Sequence, residues 1–138
     1  MVFIKVGGRA MPIQLSLQAY RDHLRFEVSG TRVPSEFGVE MLKVWKRVAD
    51  ECKAQGIKKV LGISKLTGPV PVTELYDVGK ETPLILARAG CEKVAYVVLG
   101  GDEAFRALKF GEDVAVNRGQ TTRVFADERL ALAWLMQP

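Results

Sequence analysis

Residues 110–135 read FGEDVAVNRGQTTRVFADERLALAWL, and this one run holds a helix end, a turn, a strand and a second helix. Ala107, Phe110, Gly111, Val114 and Ala115 recur at i, i+3, i+4, i+7 and i+8, which predicts one face of a helix over about 102–117. Asn117-Arg118-Gly119 closes it. Glycine enters the left-handed region at little cost, asparagine tolerates it, and a cation at 118 suits the negative end of the helix. TTRVF at 121–125 is a strand. ADERLALAWL begins with Asp127 and Glu128, carboxylates stabilised at a helix start, and predicts a closing helix with Leu130, Ala131, Trp134 and Leu135 as its apolar face. The stretch is rich in reactive side chains, but no spacing among them serves a reaction. It reads as scaffold.

Working outward, KVAYVVLGG at 93–101 is the most apolar strand, and KKVLGIS at 58–64 is nearly as continuous. Such runs are expected where both faces of a strand are buried. Gly68, Pro69 and Pro71 mark a loop. A helix follows from Val72 or Thr73 to Gly90, with Thr82-Pro83 reading either as a kink or as a fresh N-terminus. Earlier in the chain, Ser35 is placed to cap a helix that runs to about Gln55. Phe37, Met41, Trp45, Val48 and Cys52 form its apolar stripe, and Glu40, Lys43, Lys46, Arg47, Asp50 and Glu51 its wet face.

Residues 13–20 and 24–28 alternate instead. Ile13, Leu15, Leu17 and Ala19 oppose Gln14, Ser16, Gln18 and Tyr20, and Leu24, Phe26 and Val28 oppose Arg25 and Glu27. Period two with a short polar connection at 21–23 predicts an antiparallel hairpin, with a solvated His23 at its turn. Val2–Val6 is a candidate further strand, ended by Gly7-Gly8. The expected fold class is therefore α/β: a single domain over 1–138 with a mixed sheet of about five strands and about four helices. Residues 1–12 form an extension or an extra strand.

A chain of 138 residues can bury a core without metal or disulfide support. The net charge of +4 comes from cations interleaved with carboxylates, so no basic arm points to nucleic acid. Two cysteines, Cys52 and Cys91, lie far apart with His23 as the only histidine, so no metal site and no cofactor is expected. They read as small thiols in a reducing compartment, and as a redox pair only if folding joins them. The start does not resemble a signal peptide and no apolar run approaches a membrane span, so a cytoplasmic protein without an integral membrane segment is expected.

No reaction motif emerges. There is no GxSxG elbow, and Ser16, Ser29, Ser35 and Ser64 have no candidate histidine partner but His23. Glu74, Asp77 and Glu81 read as a wet helix face. Gly100 and Gly101 precede a helix start and are candidate anion contacts, as is Arg118, although Asp102 and Glu103 oppose an anion there. No catalytic residue is assigned.

KKVLGISKLTGPVPVTELYDVG, KVAYVVLG and the 110–135 stretch together resemble the STAS domain, and more narrowly the bacterial SpoIIAA-like (STAS/SEC14-like) group of stand-alone proteins, over about 13–136. The resemblance implies a non-enzymatic regulatory module that binds a protein partner through the loop after the third strand. In STAS antagonists a serine there is phosphorylated within an Asp-Ser-Ser/Thr-Gly signature. Here the region reads Ser64-Lys65-Leu66-Thr67-Gly68, without the acidic residue or the paired hydroxyls. The candidate interaction or phospho-switch positions are Ser64, Thr67, Thr73 and Asp77. Two other functions stand beside this one. The first is a carrier of an apolar or lipid-like ligand, motivated by PLILARAG at 83–90. The second is a small enzyme on a phosphorylated or nucleotide substrate at Gly100–Asp102. A second copy of the chain is a further candidate partner.

Overall fold

The computed structural model describes residues 2–6 and 13–138. In chain order the elements are β1 (Val2–Val6), β2 (Ile13–Ala19), β3 (Leu24–Thr31), α1 (Phe37–Gln55), β4 (Lys59–Thr67), α2 (Val72–Arg88), β5 (Lys93–Val98), α3 (Asp102–Asn117), β6 (Thr122–Phe125) and α4 (Glu128–Leu135). The strands form one mixed sheet in the order of the sequence. β1, β2 and β3 pair antiparallel, and β3 through β6 pair parallel. The five expected strands are thus joined by a sixth, Val2–Val6. The reading of Gly7-Gly8 as its end falls outside the described residues.

The hairpin follows its alternation. Leu15 faces Val28 and Leu17 faces Phe26, all buried, while Ser16 faces Glu27 on the opposite side. The pattern ends at Ala19, which is exposed at the strand terminus. His23 sits at the turn as expected but is not solvated. Its ring stacks on Tyr20 at 4.7 Å and its Nδ1 lies 2.7 Å from Asp22 Oδ1.

α1, α2 and α3 cover one face of the sheet and enclose the larger core, in which Phe26 and Trp45 meet edge-on at 5.2 Å. α4 covers the other face, packing Ala131 and Leu135 on Leu61, Ile63, Ala95 and Val97. β4 and β5 are therefore buried on both sides, which explains their near-continuous apolar sequence. Gly62 lies where a side chain has no room: a Cβ there would stand 2.5 Å from Phe26 Cζ and 2.7 Å from Tyr96 Cδ1.

Several local expectations are corrected. Ser35 does not cap α1. The cap position is Glu36, with no side-chain bond, and the Gly38 N–H donates instead to Glu74 Oε1 of α2 at 3.2 Å. Glu40, placed on the wet face, is buried. α2 runs unbroken through Pro83, so no new helix begins there. β4 reaches Thr67, three residues beyond the expected end. Phe110 and Leu130 are exposed, because the buried stripes are centred on Gly111 and Ala115 in α3 and on Ala131 and Leu135 in α4. Trp134 is half-buried against Phe125 at 5.7 Å rather than in the core beside Leu130.

Asp127 caps α4, its Oδ1 accepting from Leu130 N at 3.0 Å. The helix is tied to the sheet at both ends. Arg25 of β3 donates to both Glu128 carboxylate oxygens, at 2.9 and 3.1 Å, and Lys93 Nζ of β5 donates to the carbonyls of Trp134 and Gln137 at 2.7 and 2.9 Å. A cation on the last carbonyls is favoured by the helix dipole.

Candidate functional site

In a parallel sheet covered by helices, loops that can bind a ligand gather beyond the carboxyl ends of the strands. Here β3, β4 and β5 end together, and α1, α2 and α3 begin beside them. None of these three helices has a side-chain cap on its own first turn. In α1 the first N–H groups are already used, Phe37 N on the Val33 carbonyl at 2.9 Å and Gly38 N on Glu74 Oε1 at 3.2 Å, and the starts of α2 and α3 face the same edge of the domain.

The residue that organises this edge is Arg32. Leu24, Phe26, Val28, Gly30 and Arg32 continue one alternation, so the side chain turns onto the face covered by α1–α3. It is 4% exposed. Its Nη1 donates to the Gly68 carbonyl at 2.7 Å and its backbone N–H to the Thr67 carbonyl at 2.9 Å, which fastens the β4–α2 loop to the end of β3. No carboxylate among the described residues pairs with it, its Nε has no partner, and burial lowers its pKa, offset in part by Tyr96. Tyr96 in turn is held above the usual tyrosine range by burial, against the opposing pull of its hydrogen bond with Ser64 and of Arg32. The sequence reading missed Arg32 and Tyr96. The signal for Arg32 was there, in the alternation carried past Gly30.

The positions read from the sequence fall in different places. Ser64 is buried within β4, its hydroxyl accepting from Leu66 N at 3.4 Å as well as pairing with Tyr96. A kinase cannot reach it in this fold. Thr67 ends β4 and is exposed, its Oγ1 3.2 Å from Thr31 Oγ1 and 3.3 Å from the Gly30 carbonyl. Thr73 and Asp77 are exposed on α2, with Thr73 inside the first turn rather than capping it. Thr67 and Thr73 thus share the loop edge, whereas Ser64 lies beneath it.

Gly101 is the N-cap of α3 and Arg118 its C-cap. Sixteen residues at 1.5 Å each place them roughly 24 Å apart, so they cannot serve one anion. Gly100 lies beside the end of β4, with the Leu66 carbonyl 3.6 Å from its virtual Cβ. Of Arg118, Asp127 and Trp134, Arg118 alone lines either of two cavities found among the described residues, at the far end of the domain.

The arrangement supplies apolar contacts and a buried cation at the loop edge. His23 sits at the start of β3, one strand length (roughly 25 Å at ~3.3 Å per residue) from Thr31 and Thr67. It has no hydroxyl or thiol partner among the described residues. No group of three or more His, Cys, Asp or Glu side chains suited to a metal occurs among those residues. No helix among the described residues is long and apolar enough to cross a membrane. Around the loop the surface is apolar instead: Val72 is 56%, Tyr76 41% and Leu99 50% exposed. Leu99 belongs to the same edge, since its N–H donates to the Ser64 carbonyl at 3.1 Å.

Compared with protein-family models, with curated proteins and with solved structures, the chain matches none.

Proposed function

We propose that this chain is a non-enzymatic regulatory or interaction module that binds a protein partner at the β4–α2 loop and the first turns of α2. One observation carries the reading. Val72, Tyr76 and Leu99 lie exposed beside a loop that a buried guanidinium fastens to the end of β3. A preformed apolar surface loses little entropy on binding, and exposed aromatic and aliphatic anchors ringed by polar groups suit a protein partner. The STAS-like order of elements adds support from the sequence. It also makes Thr67, at the loop edge, the position where a phosphate would act.

A quantitative pull-down tests this with wild type, the Val72→Asp/Tyr76→Asp double variant, and Leu130→Asp on the opposite face as control. The partner is retained by wild type and by Leu130→Asp and lost from the double variant. Identical bound sets for all three refute the site. In the same experiment, a Thr67→Glu partner list indistinguishable from wild type removes switching at that loop.

The carrier reading draws on a cavity of about 70 Å³ beneath α1, α2 and α3, lined by Trp45, Leu75, Tyr96 and Leu108 among others. Thr82 opens onto it with an unpartnered, buried hydroxyl. At about 30 Å³ per water the space holds about two waters. An acyl chain needs α2 and α3 to part, and they are closed on each other where the Gly111 carbonyl comes within 3.1 Å of a virtual Cβ at Gly79. Native mass spectrometry that detects a bound lipid would favour this second reading over the first. The third, an enzyme at Gly100–Asp102, has no nucleophile–base pair to support it.

A further inference from the structure

At the strand-start end of the domain, away from the β4–α2 loop, the fold joins two side chains that stand 39 positions apart in sequence. Cys52 lies in the last turn of α1 and Cys91 in the turn between α2 and β5. Cys91 packs against the core cluster that contains Cys52, whose carbonyl accepts from Ile57 N at 2.9 Å; each thiol is the leading influence on the other's ionisation, and both sulfurs are free. The backbone holds the two turns together. Glu92 N donates to the Lys58 carbonyl at 2.7 Å and Lys93 N to the same carbonyl at 3.3 Å, while the Lys58 ammonium stands 3.7 Å from Glu92. The contact is therefore built into the packing of α1, β4 and β5.

The two thiols differ in access. Cys52 is fully buried, whereas Cys91 is half-buried and lines a cleft of about 230 Å³ between α2 and the α3–β6 turn. Lys80 and Arg118 line the same cleft, as does Glu92, whose charge is engaged by Lys58. The Cys52 thiol holds Cys91 below the ordinary cysteine range against the effect of burial. The Cys91 thiol, together with burial, pushes Cys52 well above it. Cys91 is thus the sulfur that reaches a reagent first, and Cys52 is reached only through it.

We propose that Cys91 is a thiol–disulfide exchange site for small anionic disulfides admitted past Lys80 and Arg118, and that Cys52 is its resolving partner. In the first step the Cys91 thiolate attacks one sulfur of the small disulfide R–S–S–R. A Cys91 Sγ–S–R bond forms, the R–S–S–R bond breaks, and R–S⁻ leaves and takes up a proton from water. In the second step the Cys52 thiol loses its proton to solvent and its sulfur attacks Cys91 Sγ, forming the Cys52–Cys91 disulfide and expelling the second R–S⁻. The two protein thiols are oxidised by two electrons and the small disulfide is reduced to two small thiols. The product ties the end of α1 to the α2–β5 turn and leaves the β4–α2 edge free, so this site is independent of the proposed partner surface.

The test treats the reduced native protein with oxidised glutathione and follows it by intact mass and non-reducing peptide mapping. Wild type loses the mass of two hydrogens, retains no glutathionyl group and yields one cross-linked Cys52–Cys91 peptide. Cys52→Ala stops at the first step and keeps one glutathionyl group on Cys91, while native Cys91→Ala does not react. The Lys80→Glu/Arg118→Glu variant reacts roughly tenfold more slowly with oxidised glutathione and at an unchanged rate with the neutral bis(2-hydroxyethyl) disulfide. Wild type that keeps both thiols free, or that holds a stable glutathionyl group on Cys91, overturns the pairing. Equal slowing with both reagents overturns the preference for anions. The wild-type result needs no variant to fold.

Discussion

Gly62→Ala places one methyl group where three rings already meet. Its Cβ would lie 2.5 Å from Phe26 Cζ, 2.7 Å from Phe26 Cε1 and 2.7 Å from Tyr96 Cδ1, so the rings must retreat by roughly 1 Å to reach ordinary carbon contact. Neither can do so freely. Phe26 is fully buried and edge-on to Trp45 at 5.2 Å, and Trp45 and Tyr96 lie 5.8 Å apart. Overpacking of this kind costs about 1–3 kcal/mol, and two immobile rings put it near the upper end. Removing glycine from a strand interior returns about 0.5–1 kcal/mol. The net loss is about 2 kcal/mol, or about 7 °C in Tm for a chain of this size. Urea unfolding followed by circular dichroism and tryptophan fluorescence measures it. Phe26→Leu/Gly62→Ala should be more stable than the sum of its single changes by about 1 kcal/mol, because the shorter side chain vacates the contested space. A Gly62→Ala protein as stable as wild type, with an additive double variant, would refute the packing argument.

Asp127→Ala removes the side chain that caps the first turn of α4 and should cost about 1 kcal/mol, with Asp127→Asn nearly neutral; a melt unchanged by alanine would show the cap idle. Glu27 is pushed up by burial but held down more strongly by Arg25 and Lys65, so its folded pKa lies below the unfolded value. Its stabilisation is therefore complete above the unfolded pKa of about 4.3 and is lost as pH falls through the folded value. The advantage of wild type over Glu27→Gln, about 1 kcal/mol at pH 7, should shrink below about pH 4.5 in acid titrations, and a constant gap argues against the ion pairs. Thr82→Val keeps the shape and removes an unpaired buried hydroxyl, so stability should rise by about 1 kcal/mol in denaturant titration; a loss instead means that something in the cavity uses the hydroxyl.

What the sequence made legible was periodicity. The alternation of Ile13–Leu17 and Leu24–Val28, the α1 stripe and the doubly buried β4 and β5 follow from side-chain spacing alone. What escaped it was the phase of short helices and the burial of polar groups. Leu130 and Phe110 are apolar residues within apolar windows, and only docking of α4 and α3 decides which neighbour turns inward. Glu40, His23 and Arg32 are buried by elements distant in sequence, which no local window contains. At the candidate site, β4 ran past its apolar core into Lys65-Leu66-Thr67, so Ser64, read as the last residue of its strand, lies well inside it. The Cys52–Cys91 contact could be posed from the sequence only as a condition, because it depends on how two turns meet.

The two anchorages of α4 bear on how the domain opens. A helix of eight residues held at one end frays from the other, and its amides exchange with solvent one after another. This one is moored to β3 by Arg25 and to β5 by Lys93, with β4 between them. Release of either mooring leaves the other in place, so the helix comes off the sheet as a single body or not at all. Its amide protons should therefore share one exchange free energy, set by the detachment of the whole segment.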